Sequence, residues 1–224
     1  MKILITGGAS GLGLATAEAV EKEGWRALVV DVRPPDQRFE HVTADLADRG
    51  EAERAVRELA ERAGGLDGVV TAAGIDVCGR MEDVPADDWE RVVKVNLLGT
   101  ASVIRAALPY LKHTHGRIVT CASTLGLRPL SDASAYSASK FGVVGLTRAL
   151  AVELRGEVGV TLLVPGGMRT SFFDGRPEQY KPGPEAGLND PAHVAQTVVF
   201  ALRQPAGCEV RELVVCPSTE TSWP

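Results

Sequence analysis

The sequence predicts an α/β protein of one domain, built on a doubly wound, mostly parallel sheet of about seven strands. Two observations lead to this fold class. Short apolar runs alternate with helical patterns along the chain, which implies parallel strands joined by right-handed helical crossovers. Most of the runs are nearly all-apolar at their centres, as strands buried on both faces are.

The predicted strands are runs rich in Val, Ile and Leu. They are Lys2–Thr6, Arg26–Asp31, Glu40–Thr43, Leu66–Thr71, Gly116–Ser123, Gly159–Val164 and Arg211–Cys216. The predicted helices between them are Gly11–Glu23, Arg49–Ala63, Ala86–Lys112, Ser134–Arg155 and Pro191–Arg203. Asp48 with Glu51 forms a capping box that opens the second helix. Pro191, after Asp190 or Asn189 as the cap, suits the first turn of the last helix.

Length and composition restrict the classes of function. The 224 residues fit one domain, 1–224, and a net charge of -5 argues against nucleic acid or an anionic membrane as partner. The longest apolar stretch, Val92–Leu111, contains Lys94 and Arg105, so it is not predicted to span a membrane. The four cysteines form no CxxC pair and no histidine stands at a metal-ligand spacing. We therefore expect a cytoplasmic protein without a metal site.

A glycine-rich turn from Thr6 to Gly13 follows the first strand and runs into the first helix. Its glycines permit a tight turn, a close approach of backbone to a pyrophosphate, and close packing of helix on strand. The N–H groups at the helix start, with the helix dipole behind them, favour bound phosphates. Ordinary turns also use glycine, but this position favours the dinucleotide-binding turn of a Rossmann-type fold.

The second strand ends at Asp31, 18 positions beyond the last glycine of the turn. A carboxylate there can accept hydrogen bonds from the adenosine ribose of NAD and repels the 2′-phosphate of NADP. The residue before Gly11 is Ser10 rather than a basic residue, which also favours NAD, whereas Arg33 favours NADP. The alternative is a loop aspartate that begins a turn. The sequence thus predicts NAD over NADP.

Tyr136 and Lys140 lie one turn apart in the fourth predicted helix and share one face. A free phenol titrates near pH 10. For Tyr136 to act as a base near neutrality its pKa must fall by about 3, which corresponds to about 4 kcal/mol of phenolate stabilisation. The Lys140 ammonium supplies part of this and an oxidised nicotinamide supplies more. Upstream, the hydroxyl of Ser123 can hold a carbonyl oxygen as charge develops. The alternatives are a half-buried tyrosine beside a surface lysine and an ordinary strand-end serine.

Asn96 lies among apolar residues inside the third predicted helix. Asparagine is a poor helix former, and a buried amide needs hydrogen-bond partners. On the residues alone, two interpretations remain open. Asn96 is either a satisfied core amide or a group that holds a water linking Lys140 to solvent.

The whole pattern resembles the short-chain dehydrogenase/reductase family, in its short single-domain branch. The glycine turn is similar to the family's TGxxxGxG, and Tyr136-Ser-Ala-Ser-Lys140 to its YxASK active site. Ser123 stands 13 residues before the tyrosine, at the position of the catalytic serine, and Asn96 at that of the helix asparagine. Three further segments are similar to cofactor-binding segments of the family. After the third strand, Asp45-Leu46 matches the adenine-binding pair, and after the fourth strand, Ala73-Gly74 matches a segment that packs along the cofactor. After the sixth strand, Pro165-Gly166 with Met168 and Thr170 matches the PGxxxT segment.

This resemblance implies an oxidoreductase that moves a hydride between a nicotinamide cofactor and a secondary alcohol or ketone, with Tyr136 as general acid and base. It implies that Lys140 holds the nicotinamide ribose, Ser123 fixes the substrate oxygen and Asn96 organises the proton path. The expected cofactor contacts are Gly7, Ser10, Gly11, Leu12, Gly13, Asp31, Asp45, Leu46, Ala73, Gly74, Tyr136, Lys140, Pro165, Gly166, Met168 and Thr170.

Two positions depart from the family pattern. Its NNAG appears as Thr71-Ala72-Ala73-Gly74, so two amides that brace neighbouring strands are missing, and Met168 replaces a smaller residue. This departure favours a rival interpretation, a sensor or scaffold that binds NAD without turning it over. The retained serine, tyrosine and lysine speak against that rival.

The segment 169–190 is the expected substrate lid, because long Pro- and Gly-rich loops inside compact domains often have that function. Its Phe172, Phe173 and Tyr180 either line an apolar pocket or pin the lid to the core. Arg128 or Arg169 is a candidate for binding an anionic end of the substrate.

The two long predicted helices, Ala86–Lys112 and Ser134–Arg155, carry more apolar residues than one core-facing stripe requires, which favours an interface with a second copy. The family resemblance implies a homodimer or homotetramer formed through these helices. The alternative is that both are central helices buried by the sheet. The residues concerned are Ala101, Val103, Ala107, Val143, Val144 and Leu146.

Overall fold

The computed structural model describes residues 1–220, so the last four residues of the predicted domain 1–224 lie outside the described residues. Within that range, seven strands form one sheet in the order β3-β2-β1-β4-β5-β6-β7. All neighbouring strands are parallel, which confirms the predicted fold class. The strands are β1 Lys2–Thr6, β2 Arg26–Asp31, β3 Glu40–Thr43, β4 Gly68–Thr71, β5 Arg117–Cys121, β6 Gly159–Pro165 and β7 Glu212–Val215.

Helices cover both faces of the sheet. The α-helices of residues 1–220 are α1 Gly11–Lys22, α2 Arg49–Ala63, α3 Ala86–Val93, α4 Thr100–Thr114, α5 Ser134–Glu153 and α6 Pro191–Leu202. The ends of strands and helices differ from the predicted ends by two residues at most. For example, the fourth strand begins at Gly68 rather than Leu66, and α5 ends at Glu153 rather than Arg155.

Two predicted helix starts are confirmed. The Asp48 carboxylate accepts a 2.9 Å hydrogen bond from the N–H of Glu51 at the start of α2. The Glu51 carboxylate accepts from the N–H of Asp45 rather than from that of Asp48, so only half of the predicted capping box forms. At α6 the cap is Asp190, whose carboxylate accepts from the N–H of Ala192 at 2.8 Å.

Two large apolar cores and a smaller one hold the helices on the sheet. One large core lies under α2 and α4 and includes the fully buried Leu59 and Ile118, and the other lies under α1 and α6 and includes Val20 and Val198. Burial of each such side chain contributes about 1.5–3 kcal/mol before entropy is counted. The face of each helix that enters the core is thereby fixed.

The parallel order brings the carboxyl ends of the strands to one edge of the sheet. β1 lies between β2 and β4, and its last residue, Thr6, pairs with Thr71 of β4. Asp31, Cys121 and Pro165 end β2, β5 and β6 at the same edge. Ligands of open α/β sheets bind at this edge.

The third predicted helix, Ala86–Lys112, is not one regular α-helix. Residues Lys94–Gly99 form a turn of π-helix between α3 and α4, and α4 runs to Thr114. A π turn inserts an extra residue into the helical repeat and often occurs at functional sites. Asn96 lies within this turn.

The helical stretch Ala86–Thr114 is long and apolar enough to cross a membrane by length and composition alone. However, 56% of its most apolar window is buried inside the protein. It packs on α2, on α5 and on the sheet, as the core helix of a globular domain does.

Of the six apolar residues that favoured an oligomer interface, four are buried, and Ala101 and Leu146 are half-buried. Val103, Ala107 and Val143 are fully buried, so the alternative of two central helices accounts for them. Different apolar side chains of this region are exposed, namely Leu98, Phe141 and Val152.

Candidate active site

A cleft of about 860 Å³ opens at the carboxyl edge of the sheet. All but one of the predicted site residues line it, although they come from seven separate segments of the chain. Those residues are Gly7, Ser10, Gly11, Leu12, Gly13, Asp31, Asp45, Leu46, Ala73, Gly74, Ser123, Tyr136, Lys140, Pro165, Gly166, Met168 and Thr170. The exception is Asn96, which is buried behind the cleft.

The glycine turn forms one end of this cleft. Gly7 and Gly11 have φ angles of +74° and +54°, in the left-handed region that favours glycine. A Cβ on Gly13 would overlap the carbonyl oxygen of Gly7, and a Cβ on Gly7 would lie 2.8 Å from the Cα of Ala73. Side chains here would collide with neighbouring backbone, so the glycines permit the tight turn that dinucleotide-binding folds use.

The start of α1 is open to an anion. Ser10 is the N-cap, but its side chain does not cap the helix within residues 1–220, and the first turn contains no acidic residue. The first N–H groups of a helix lack partners inside the helix and carry the positive end of its dipole. This end of α1 therefore suits phosphate groups.

Asp31 is 9% exposed and lies beside the glycine turn. One carboxylate oxygen accepts from the N–H of Ala9 and the other from the N–H of Arg33, both at 3.0 Å. The Arg33 guanidinium donates to the hydroxyl of Ser10 at 3.4 Å. A negative and a positive side chain thus border the same part of the cleft.

Asp45 lies further along the cleft, after β3. Its carboxylate accepts from the N–H of Ala47 and from Arg91, both at 2.9 Å. Burial tends to raise the pKa of Asp45, but the Ala47 and Arg91 hydrogen bonds and the Arg91 charge outweigh it and leave this pKa lowered. Arg91 also lines the cleft and was not predicted from the sequence.

Tyr136 and Lys140 lie on one face of α5 and both line the cleft. The Lys140 Nζ is 5.6 Å from the centroid of the tyrosine ring and donates to the carbonyl of Cys121 at 2.8 Å. The lysine is only 4% exposed. Nζ retains two further N–H donors, which a ligand in the cleft can use.

The pKa values of both groups respond chiefly to burial. Burial lowers the pKa of Lys140 and raises that of Tyr136 above its usual range. A hydrogen bond between Tyr136 and Ser123 opposes the rise in the tyrosine pKa. The protein without ligand therefore holds Tyr136 as a neutral phenol, and a general base at this position needs further positive charge.

Ser123 follows β5 and is 8% exposed. Its Oγ accepts from the N–H of Leu125 at 3.2 Å, which orients the hydroxyl at the edge of the sheet. Because Ser123 and Tyr136 both line the cleft, one substrate oxygen between them can contact both hydroxyl groups.

Asn96 binds the backbone of Ile75 through both ends of its amide. Oδ1 accepts from the N–H of Ile75 at 2.8 Å, and Nδ2 donates to its carbonyl at 2.9 Å and to Ser139 Oγ at 3.0 Å. A Cβ on Gly74 would lie 3.5 Å from Oδ1 of Asn96 and 3.6 Å from Nζ of Lys140. The core-amide interpretation is thus realised in the structure, close to the lysine, and the proton-path role remains a prediction.

The Thr71-Ala72-Ala73-Gly74 segment is braced from the neighbouring strand. The N–H of Ala73 donates to Thr6 Oγ1 at 3.2 Å, which links β1 to the segment after β4. The hydroxyl of Thr71 is buried and has no hydrogen-bond partner within residues 1–220. One brace between the strands is therefore present despite the missing amides.

The predicted lid covers the other wall of the cleft. Its Thr170 side chain lies 3.4 Å from the position of a Cβ on Gly11, so the lid reaches the glycine turn. Phe172, Phe173 and Tyr180 line the cleft. The ring of Phe172 also packs on the ring of Tyr136, with centroids 5.6 Å apart.

Besides Arg91, the charged cleft residues Asp76 and Arg176 were not predicted from the sequence; they form an ion pair of 2.6 Å. The predicted candidates for an anionic substrate end, Arg128 and Arg169, do not line the cleft in the described chain. Arg169 instead donates to the carbonyl of Leu188. Asp76 and Arg176 are 100 positions apart, and neither belongs to a motif that would indicate the pairing.

Comparisons with known proteins agree with this architecture. A sequence model described as short chain dehydrogenase matches residues 1–181. An uncharacterised oxidoreductase of Staphylococcus epidermidis is 30% identical over 227 aligned positions, covering 96% of each chain. A D-beta-hydroxybutyrate dehydrogenase of Rhizobium meliloti is 34% identical over 188, covering 76% of this chain and 72% of that protein. The X-ray structure of an alcohol dehydrogenase from Thermococcus sibiricus, complexed with 5-hydroxy-NADP, superimposes with a TM-score of 0.86 over 98% of this chain and 97% of that chain, at 25% identity.

Proposed function

The chain belongs to the short chain dehydrogenase family, and we propose that it transfers a hydride between NAD(H) and a secondary alcohol or ketone, with Tyr136 as general acid and base. Its family and its relatives make it an oxidoreductase of alcohol or ketone groups that uses a nicotinamide cofactor. The observation that carries the proposal is that Ser123, Tyr136 and Lys140 line the same cleft as the glycine turn.

In this proposal the chain's own residues move the proton. A bound nicotinamide supplies the hydride acceptor or donor and, when oxidised, a positive charge. Tyr136 takes the proton of the substrate hydroxyl in oxidation and returns it in reduction, while Ser123 holds the substrate oxygen. Lys140, fixed by the carbonyl of Cys121, holds the nicotinamide ribose and favours the phenolate.

Asn96 has a positioning role in the proposed mechanism. By holding Ile75 it fixes the backbone beside Gly74, which borders the Lys140 ammonium. A water held near this amide would link Lys140 to solvent and carry the proton that Tyr136 releases.

NAD is proposed as the preferred cofactor over NADP. The buried Asp31 carboxylate borders the glycine turn, where its charge would repel a 2′-phosphate. Arg33, on the same part of the cleft, acts in the opposite direction. Because the charges of Asp31 and Arg33 act in opposite directions, the preference for NAD is a ratio of two dissociation constants that can be measured, not a complete exclusion of NADP.

The rival candidate is a protein that binds the nicotinamide cofactor without turning it over. Its support is the departing Thr71-Ala72-Ala73-Gly74 segment and the raised pKa of Tyr136, which burial causes. Cofactor binding without oxidation of NADH by any simple ketone would favour this rival.

Substitution of Tyr136 by Phe tests the proposal, because it keeps the ring and removes the hydroxyl. We expect turnover to fall at least about a hundredfold, the usual contribution of a general acid or base, while NADH still raises the melting temperature. Tyr110→Phe, on α4 and outside the cleft, is the matched control. Near-wild-type turnover of Tyr136→Phe would contradict the assignment.

We also propose a cytoplasmic homodimer or homotetramer. The four cysteines are free, in keeping with a reducing compartment. The exposed Leu98, Phe141 and Val152 supply apolar surface for a second copy. Light scattering tests the assembly, and a monomer mass would contradict it.

A further inference from the structure

A buried ion pair joins the predicted lid to the segment that follows β4. Arg176 Nη2 lies 2.6 Å from Asp76 Oδ2, and the two side chains are 17% and 3% exposed. Both residues line the cleft. Burial of such a pair is costly unless its remaining donors and acceptors are also satisfied.

In this ion pair, one carboxylate oxygen and one guanidinium nitrogen lack a hydrogen-bond partner among residues 1–220. Asp76 Oδ2 accepts from Arg176 Nη2 and from the thiol of Cys78, and Arg176 Nη1 donates to the carbonyl of Tyr180. Asp76 Oδ1 and Arg176 Nε are both buried, and neither has a hydrogen-bond partner among residues 1–220. One acceptor and one donor thus remain open on the same ion pair.

The geometry of a guanidinium group restricts what can fill this gap. Nε and Nη2 donate from one edge of the group, and Nη2 already reaches the carboxylate, so the open Nε lies on the edge that faces Asp76. The rings of Phe172 and Phe173 lie near the guanidinium carbon, with centroids 5.1 and 4.6 Å away. Aromatic rings therefore pack against the guanidinium, and its open edge is where a polar group can bind.

A hydroxyl group can supply both the donor that Asp76 Oδ1 lacks and the acceptor that Arg176 Nε lacks. It donates one hydrogen bond, here to Asp76 Oδ1, and accepts another, here from Arg176 Nε. A carboxylate only accepts and would bring negative charge against the buried Asp76. An ammonium group only donates and would leave Nε without a partner.

The open pair lies close to the proposed reacting group. The Phe172 ring contacts both the Tyr136 ring, at 5.6 Å, and the Arg176 guanidinium. The charges of Asp76 and Arg176 also influence the pKa of Tyr136 in opposite directions, after the larger effects of burial. A hydroxyl bound at the pair would therefore belong to a substrate whose carbonyl or alcohol carbon faces Tyr136.

We propose that Asp76 and Arg176 form a binding site for a second hydroxyl group, so that the substrate is a neutral hydroxylated alcohol or ketone. This inference rests on the proposed function, since it names the substrate class of the same cleft. The pair thereby selects substrates by a hydrogen bond that a simple alcohol cannot make.

Binding to the protein saturated with NADH tests the site without turnover, because an alcohol is not oxidised by the reduced cofactor. The probes are butan-2-ol, butane-2,3-diol, butane-1,3-diol and 3-hydroxybutyrate, measured by calorimetry. We expect at least one diol to bind about tenfold or more tightly than butan-2-ol, since a site built to bond a hydroxyl discriminates against its absence. Equal affinities would overturn the inference, as would tighter binding of 3-hydroxybutyrate than of butane-1,3-diol.

Two substitutions separate hydroxyl recognition from a purely structural ion pair. Arg176→Lys keeps the positive charge opposite Asp76 but lacks Nε, and Asp76→Asn replaces the open acceptor or weakens the pair. If the pair binds the hydroxyl, both substitutions should reduce the ratio of diol affinity to butan-2-ol affinity to about one. If the ion pair only holds the lid in place, Arg176→Lys should keep the wild-type ratio. Glu178→Gln, which removes an exposed lid ion pair with Lys181, is the matched control and should keep it.

Kinetics with the matching ketones separates this inference from the proposed function. Turnover of butan-2-one and its hydroxylated analogues at equal kcat/KM would overturn the inference and leave the function standing. A diol preference that Arg176→Lys abolishes, in a protein that reduces no ketone, would support the site and contradict the function. Melting temperatures of the variants establish that each is folded.

Discussion

Asn96 and Ile75 form a two-sided clamp, in which one side-chain amide satisfies both the N–H and the carbonyl of a residue 21 positions away. The clamp links the π turn before α4 to the segment after β4. It replaces the sheet hydrogen bonds that Ile75 lacks beyond the end of β4. The position of Gly74, between Asn96 and Lys140, depends on it.

Substitution of Asn96 by Ala leaves both polar groups of Ile75, which are partly buried, without their side-chain partner. Each such group costs about 1–3 kcal/mol, so we expect the free energy of unfolding to fall by about 2–4 kcal/mol in urea titration. Asn189→Ala is the matched control, because its amide makes one 3.3 Å bond to the carbonyl of Val215. A loss at Asn96 no larger than at Asn189 would contradict the clamp.

Substitution of Gly13 by Ala should disrupt the glycine turn, since the new Cβ overlaps the carbonyl oxygen of Gly7. Overpacking of this kind costs about 1–3 kcal/mol or more, and we expect NADH to lose its effect on the melting temperature. The control is Gly145→Ala in α5, where a Cβ meets no atom within 4 Å among the described residues. That variant should gain about 0.5–1 kcal/mol from helix propensity, and a similar effect at both sites would refute the steric argument.

Substitution of Asp31 by Asn should move cofactor preference towards NADP. Removal of a carboxylate near a bound 2′-phosphate relieves a repulsion of about 1–2 kcal/mol at the effective dielectric of a protein surface, equivalent to about tenfold in the ratio of dissociation constants. Isothermal calorimetry with NADH and NADPH measures that ratio. Arg33→Gln should move it in the opposite direction, and unchanged ratios in both variants would remove these residues from cofactor selection.

Substitution of Lys140 by Met should change the pH dependence of stability. Burial lowers the pKa of Lys140 from 10.5, so between the lowered value and 10.5 the unfolded chain binds more protons than the folded protein. Wild-type stability therefore contains a contribution that increases with pH through this window, and the variant lacks it. We expect the difference in unfolding free energy, variant minus wild type, to decrease as pH rises from 7 towards 10.

The control for that experiment is Lys112→Met, whose side chain is 46% exposed and pairs with Glu157. Its stability difference should stay nearly constant over the same range, since surface ion pairs contribute little. A constant difference for Lys140→Met as well would mean that its ammonium titrates as a solvated group.

The sequence predicted the parts of the site that depend on local geometry. Tyr136 and Lys140 share a face because helical spacing is regular, and Asp31 lies at the sheet edge because strand ends are marked by the end of an apolar run. The Ile75 clamp and the Asp76–Arg176 pair depend on how distant segments pack, which no periodic pattern encodes. The π turn was missed because it continues without a break from α3 into α4, so Ala86–Lys112 has the length and composition of one helix.

The position of β1 inside the sheet, between β2 and β4, also bears on the order in which the protein acquires its parts during synthesis. β1 is made first but lies between β2 and β4, so by residue 115 the nascent polypeptide already contains β1 to β4, the glycine turn and Asp31. Ser123, Tyr136 and Lys140 emerge later and reach the cleft only when β5 and β6 extend the sheet from its β4 side. A ribosome-bound intermediate can thus gain the parts that hold a nucleotide before it has the means to use one.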